Sequence, residues 1–200
     1  MDGWTPKSGG WIEVICGSMY SGKTEELIRR LRRAQIARQA VAIFKPALDD
    51  RFAPDRIVSH SDLSLQAIVI RTSDELQALL DDRVEVVGID EVQFFDVMVV
   101  EVCERLANMG KRVIVAGLDL DYRGVPFEPV PQLMAVADYV TKALAVCTRC
   151  GAPASRTQRI VASDERIVVG ATDAYEARCR HCFEPDRPKQ LAMDLKGDGP

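Results

Sequence analysis

Two hundred residues, 47% of them apolar, suit one folded domain or one domain with a small appendage. The formal net charge of −4 excludes a broad basic face for nucleic acid. No apolar run is long enough to span a membrane, and the N-terminal MDGWTPKSGG has no apolar signal core. The expected location is therefore cytoplasmic, with the cysteines expected to be thiols or metal ligands rather than disulfides.

Trp11 to Cys16 (WIEVIC) reads as a strand. It runs into Gly17-Ser18-Met19-Tyr20-Ser21-Gly22-Lys23-Thr24, which fits G-x-x-x-x-G-K-[ST]. In this pattern glycines let the backbone curl until its N–H groups converge on phosphate oxygens. Lys23 then reaches the β- and γ-phosphates, and the Thr24 hydroxyl can ligate Mg²⁺. Glu25 to Gln39 reads as a helix, with Leu27, Ile28, Leu31, Ala34 and Ile36 apolar and its positive end aimed at the same anion. Its arginines Arg29, Arg30, Arg32, Arg33 and Arg38 read as a solvated face, with an intersubunit contact as the alternative. A strand-to-helix turn that held no ligand would not need the Lys-Thr pair.

Val41–Phe44 and Ala67–Ile70 read as strands, separated by a polar, proline-bearing loop from Pro46 to Pro54. Ser73 reads as the N-cap of a helix to Leu80. Val84–Ile89 is nearly continuous in apolar residues, as a central parallel strand should be. Asp90 follows it directly, where an acidic residue can hold Mg²⁺ across from a phosphate loop. Glu91 comes next and is placed to accept a proton from an attacking hydroxyl or water. A helix from Val97 to Met109 is closed by Gly110 and Lys111 before the strand Val113–Ala116. The stretch Asp119–Pro131 reads as a long loop whose length suggests function. A helix Gln132–Ala137 and a strand Tyr139–Val146 complete the series. Alternating strands and helices predict an α/β fold: a P-loop (RecA-like) parallel sheet flanked by helices.

From Cys147 onward the pattern changes to short hairpin-like runs, Ser155–Val161 and Arg166–Gly170, between two cysteine pairs. Cys147-x-x-Cys150 and Cys179-x-x-Cys182 form a zinc-ribbon pattern, each knuckle supplying two thiolates to a tetrahedral ion. Four sulfur ligands leave no open position, so the expected Zn²⁺ is structural. A redox dithiol is the competing reading. His181 could replace Cys182, but the x-x spacing favours the sulfur. The residues between the knuckles must form a hairpin or loop excursion. Cys16 and Cys103 read as core residues, and His60 as a loop or strand-edge residue. The expected domains are residues 1–144 for the α/β unit and 145–184 for the zinc module, with a disordered tail over 185–200.

The phosphate loop, Asp90-Glu91-Val92-Gln93-Phe94-Phe95 and the cysteine pairs, in that order, closely resemble the thymidine kinases shared by bacteria and animal cytosol. The resemblance runs from about Gly10 to Phe183. It includes Asp49-Asp50-Arg51-Phe52, Ala116-Gly117-Leu118-Asp119 and Lys142-Ala143-Leu144-Ala145-Val146-Cys147. It implies transfer of the ATP γ-phosphate to the 5′-hydroxyl of thymidine, with Glu91 as base and Asp90 on the magnesium side. It also implies ATP and Mg²⁺ contacts from the phosphate loop, Asp49, Arg51 and Gln93. The zinc module of the family anchors a lasso that roofs the nucleoside, which places Val168, Val169, Gly170 and Ala171 over thymine through main-chain groups. Met19, Phe94, Leu118, Tyr122, Phe127, Thr157 and Tyr175 match the pocket lining. Ser18-Met19-Tyr20 stands where the family often has Pro-Met-Phe, and Val92 where it usually has Gly or Ala. The resemblance further implies a homotetramer and feedback inhibition by thymidine triphosphate.

Two other functions compete. A zinc-ribbon, nucleic-acid-dependent ATPase would need the basic residues Arg149, Arg156, Arg159, Arg166, Arg178 and Arg180 to form one run, and they do not. A kinase for another nucleoside or for a nucleoside monophosphate would use the same phosphate loop and base.

Overall fold

The computed structural model describes residues 9–47, 56–58, 64–161 and 174–185. The expectations for Asp49, Arg51, His60, Arg166–Gly170, Ala171 and the tail beyond Pro185 lie outside the described residues. The chain builds β1 (Trp11–Gly17), α1 (Lys23–Ile36) and β2 (Val41–Pro46), then a short hairpin of β3 (Arg56–Val58) and β4 (Ser64–Gln66). It continues through β5 (Ile68–Ile70), α2 (Ser73–Leu79), β6 (Val86–Ile89), α3 (Val99–Asn108), β7 (Arg112–Gly117), α4 (Val130–Val136) and β8 (Tyr139–Ala143). Six strands form one sheet in the order β5-β2-β6-β7-β1-β8, every neighbouring pair parallel.

Successive side chains on a strand point to opposite faces, and both faces here are apolar. Ile15, Ile43, Val86, Ile114 and Ala116 meet Leu27, Ile28, Leu31 and Ala34 of α1. Val14, Cys16, Val87, Ile89, Val113 and Val115 meet Leu76, Val99, Cys103, Leu106 and Leu133 of α2, α3 and α4. The result is the expected three-layer arrangement, and Cys16 and Cys103 are core residues in it. Burial pushes the Cys103 thiol up to about 12. Among the described residues no helix is long and apolar enough to cross a membrane.

Local chemistry sets the ends of the elements. Gly110, at φ 87°, lets the last carbonyls of α3 be satisfied: Gly110 N donates to Ala107 O, and Lys111 N to Leu106 O. The cap of α2 is Thr72 rather than Ser73. The Thr72 hydroxyl accepts from Glu75 N, while the Ser73 hydroxyl is drawn off to Asp96 at 2.7 Å. Helix α4 starts at Val130, earlier than the prolines suggested, because a proline in the first turn gives up an N–H that has no helical partner anyway. The apolar run from Tyr139 to Val146 is two strands, not one. β8 pairs with β1 as far as Ala143; the chain then turns away, and β9 (Ala145–Val146) pairs antiparallel with β10 (Pro153–Ala154).

The arginines of α1 are not all solvated. Arg30 reaches back to the buried Glu13 of β1 at 2.7 Å, to Glu26 at 2.7 Å and to the Thr141 hydroxyl of β8 at 2.9 Å. Arg112 and the Trp11 indole donate to the other oxygen of Glu13 at 2.6 and 2.7 Å. Burial alone would raise the Glu13 pKa; the hydrogen bonds from Arg112 and Trp11 and the two guanidinium charges outweigh it and leave the value lowered. Glu13→Gln should therefore cost about 3 kcal/mol at neutral pH, because partly buried Arg112 loses its counter-charge and Arg30 is left with Glu26 alone. The folded-state pKa lies below the ordinary 4.5, so the stabilisation is complete above that value and is lost as the pH falls through the lowered one. Urea midpoints of the parent and the variant should converge in acid; a gap that persists would assign the effect to packing.

Candidate active site

The site lies at the carboxyl edge of the sheet, where β1 gives way to α1. Gly17 leaves β1 at φ 148°, and a Cβ there would sit 2.2 Å from Ala143 O of β8. Gly22 caps α1 at φ 80° with no side-chain hydrogen bond. No side chain caps the first turn of α1, and such a helix N-terminus suits an anion. Lys23 donates its ammonium to Ser18 O at 2.8 Å, closing the loop on itself. Burial pulls the Lys23 pKa down, while Glu91, Asp90 and Asp119 push it back up. This cation is held inside the loop and faces carboxylates.

Those carboxylates come from two neighbouring strands. Asp90 is buried at the end of β6, with its N–H on Phe44 O. Its Oδ2 lies 3.4 Å from the Thr24 hydroxyl, and its Oδ1 accepts from Glu91 N at 3.0 Å. Thr24 and Asp90 offer oxygen donors of the kind that suits Mg²⁺. Glu91 adopts left-handed backbone angles, φ 50°, at the head of a short 3-10 turn, Val92–Phe94. Gln93 is buried and donates to Glu91 Oε2 at 2.5 Å, while its carbonyl accepts from Leu118 N at 3.0 Å. Asp119 ends the β7 segment. It is buried, and its Oδ2 meets Lys142 of β8 at 2.7 Å. Burial first, and Asp119 second, raise the Cys16 thiol to about 11.

The four paired cysteines converge as the spacing requires. All four sulfurs lie within 4.8 Å of one another, and those of Cys150 and Cys179 are 3.6 Å apart. A tetrahedral ion with Zn–S bonds of about 2.3 Å spaces its sulfurs by about 3.8 Å, so the donor set fits zinc. Cys182 rather than His181 completes it. The β9–β10 hairpin carries the first knuckle, closed by Cys147 N on Ala152 O and Gly151 N on Cys147 O. The excursion between the knuckles includes β11 (Arg156–Arg159) and β12 (Tyr175–Arg178), paired antiparallel. After the second knuckle, Glu184 N and O bond the Gln158 side chain, both at 2.8 Å.

Three consecutive loop residues are fastened to this module. Ser18 Oγ donates to Ala154 O at 3.4 Å, Met19 N to the Thr157 hydroxyl at 3.1 Å, and Tyr20 OH to Tyr175 O at 3.1 Å. Tyr20 also packs against the apolar core around Cys147 and Cys179. The remaining aromatic residues of the expected pocket fall into two separate contacts. The Phe94 and Phe127 rings meet edge-on at 6.2 Å. Arg159, which sequence reasoning left out of the pocket, sits 3.5 Å over the Tyr122 ring and donates to Tyr175 OH at 2.9 Å. A basic residue two places after Thr157 on the same strand was the available signal. Val168, Val169, Gly170 and Ala171 lie outside the described residues.

A parallel α/β sheet with an ATP-type phosphate loop, paired carboxylates opposite it and a cysteine cluster suited to zinc defines a P-loop phosphotransferase. The family model described as thymidine kinase matches residues 10–183. A thymidine kinase from Rhodothermus sp. (strain ITI 518) is 58% identical over 193 residues, covering 96% of this chain and 90% of that protein. The chain belongs to the thymidine kinase family.

Thr157→Val removes the acceptor of the Met19 amide and should cost about 1–3 kcal/mol, because a partly buried N–H is left unpaired. Thr157→Ser should keep the bond and most of the stability. Equal melting temperatures for Val and Ser would show that the bond contributes nothing.

Proposed function

We propose that this chain transfers the γ-phosphate of ATP to the 5′-hydroxyl of thymidine, producing thymidine monophosphate and ADP. The observation that carries the reading is the convergence, in a thymidine kinase chain, of the phosphate loop, Glu91 and the Met19–Thr157 contact at one sheet edge. The loop amides and the N-terminus of α1 hold the phosphates. Lys23 exchanges Ser18 O for the β- and γ-phosphates. Thr24 and Asp90, with Asp49 from beyond the described residues, would hold Mg²⁺, which supplies charge neutralisation on the phosphates. Arg51, also outside the described residues, would add a phosphate contact.

Glu91 orients the 5′-hydroxyl. The hydroxyl oxygen bonds to γ-phosphorus, the bond from γ-phosphorus to the bridging oxygen breaks, and ADP leaves with that electron pair. The hydroxyl proton passes to Glu91. A carboxylate is too weak a base to form an alkoxide beforehand. In a loose transition state it need only take the proton late. Met19, Phe94, Leu118, Tyr122, Phe127, Thr157 and Tyr175 line the thymidine side, and the family resemblance adds main-chain groups of residues 168–171, which lie outside the described residues. The four cysteines would hold a structural zinc.

The wider reading is a cytoplasmic nucleoside-salvage enzyme, inhibited by thymidine triphosphate and assembled as a homotetramer. Tyr139 and Val140 on the edge strand β8, with Leu144 and Val146 after it, are exposed apolar surface that subunit contacts could cover. Residues 1–144 would form the α/β kinase unit and 145–184 the zinc-binding lasso unit.

Purified protein with ATP and Mg²⁺, offered thymidine, other nucleosides, thymidine monophosphate or DNA, should release ADP with thymidine. Release only with another nucleoside, or only with DNA, would replace the substrate assignment. Glu91→Gln should bind ATP normally and turn over roughly 10²-fold more slowly or worse; unchanged turnover removes Glu91 as base. Metal analysis should return one zinc per chain, and chelation should weaken thymidine binding more than ATP binding. Equal loss of both would make the metal a support of the whole fold.

A further inference from the structure

Gln93 occupies a position that the phosphate chemistry does not explain. Its side chain is buried and spans two strands: the amide nitrogen lies on Glu91 Oε2 at 2.5 Å, and the amide oxygen receives Leu118 N at 3.0 Å. The orientation of the amide is dictated chemically. A backbone N–H can only donate, so the Gln93 oxygen must face Leu118. The NH₂ group is then turned toward Glu91, whose carboxylate can accept it. Gln93 is thus a donor to Glu91 because it is an acceptor from Leu118.

Two backbone features make room for this link. Glu91 sits at φ 50°, a conformation that a residue with a Cβ occupies at a cost, so something local must hold it there. Gly117, just before Leu118, has no side chain where one would collide. A Cβ there would lie 2.7 Å from Gln93 Oε1 and 2.8 Å from Val92 Cγ1. The missing Cβ lets the amide lie across the end of β7. Leu118 in turn opens the loop that carries Tyr122 and Phe127, and the Phe127 N–H bonds Asp119 O.

We propose that Gln93 is the positioning residue of the transfer step, holding the Glu91 carboxylate in register with the acceptor loop that begins at Leu118. This rests on the reading of Glu91 as base, and it gives Gln93 a role beyond contact with ATP. A hydrogen-bonded link of this kind keeps base and acceptor aligned as the loop settles on the nucleoside. Misplacement of a reacting group by about 1 Å is enough to lose a factor of about 10² in rate.

The test is a double-mutant cycle on the full-length, zinc-loaded protein. Gln93→Met keeps the volume and removes both hydrogen bonds. It should lower kcat by about 10- to 100-fold, with ATP affinity unchanged and the thymidine KM altered by less than about threefold. Gly117→Ala should push the amide aside and lower kcat in the same way. In the Glu91→Gln background, Gln93→Met should cost less than about threefold, because the group it positions is no longer a base. Additive losses would overturn the proposal and leave Gln93 as scaffold for Leu118. A loss confined to ATP affinity would return it to the phosphate site. If Glu91→Gln alone turns over normally, the base assignment fails and the positioning role fails with it. Should Gln93→Met not fold, Gly117→Ala and Gln93→Glu carry the same cycle.

Discussion

The hydrogen bond from the Met19 amide to the Thr157 hydroxyl joins two parts of the chain that share no sheet. With its neighbours from Ser18 and Tyr20, it binds the phosphate loop to the hairpins around the cysteine cluster. A phosphate loop is built of backbone that must keep its N–H groups converging. Such a segment has little side-chain packing of its own. Here the packing comes from outside: Tyr20 reaches the apolar core beside Cys147 and Cys179. A metal on the four sulfurs would therefore stiffen the loop as well as the hairpins. On the far side of the loop, Gly17 lies hard against Ala143 of β8, immediately before the chain turns toward the first knuckle. The same loop is thus held from both ends by the segment that carries the cysteines.

Charge is arranged around that loop in a way that suits an incoming polyanion. Half-buried Lys23 faces Asp90 and Glu91, directly after β6, and Asp119, two residues after β7. Asp119 is itself tied to Lys142. Removing a cation from water is costly unless counter-charge is near. The carboxylates provide it. The Glu13 cluster toward the opposite end of β1 follows the same logic, with Arg30 and Arg112 as its counter-charges.

Much of this was legible in the chain because its signals are local. The loop motif, the buried run before Asp90 and the two cysteine knuckles each reside in a few consecutive residues. Apart from the short β3–β4 hairpin, the strand and helix series followed from apolar periodicity, with ends misplaced by up to three residues, as at the C-terminus of α1. What sequence reasoning missed was set by contacts distant along the chain. Arg30 looked like one of several solvated arginines until β1 and β8 brought Glu13 and Thr141 beneath it. Ser73 had the composition of a cap, but Asp96 from beyond β6 took its hydroxyl and left the cap to Thr72. The run Tyr139–Val146 kept its β-forming character throughout. Its division at Leu144 depends on where β1 stops pairing, which no property of the run itself records. Gln93 carried no visible signal for Leu118, because that pairing depends on Gly117 lacking a side chain.

The phosphate loop divides its duties between backbone and side chains. A loop motif specifies glycines, the lysine and the threonine, and leaves its middle positions open. Those open positions here are Ser18, Met19, Tyr20 and Ser21. The motif asks for no particular side chain at the first three, so they are available for contacts outside the loop. The structure uses them there: a hydroxyl on Ala154, an amide on Thr157, and a phenol on Tyr175 with its ring in the cysteine core. Tyr20 pays for this with a φ of 63°, which a residue with a Cβ adopts only against resistance. The loop's shape is therefore set in part by the module to which it is fastened. A shift of the β11–β12 hairpin would pull on Met19 and Tyr20 of this loop.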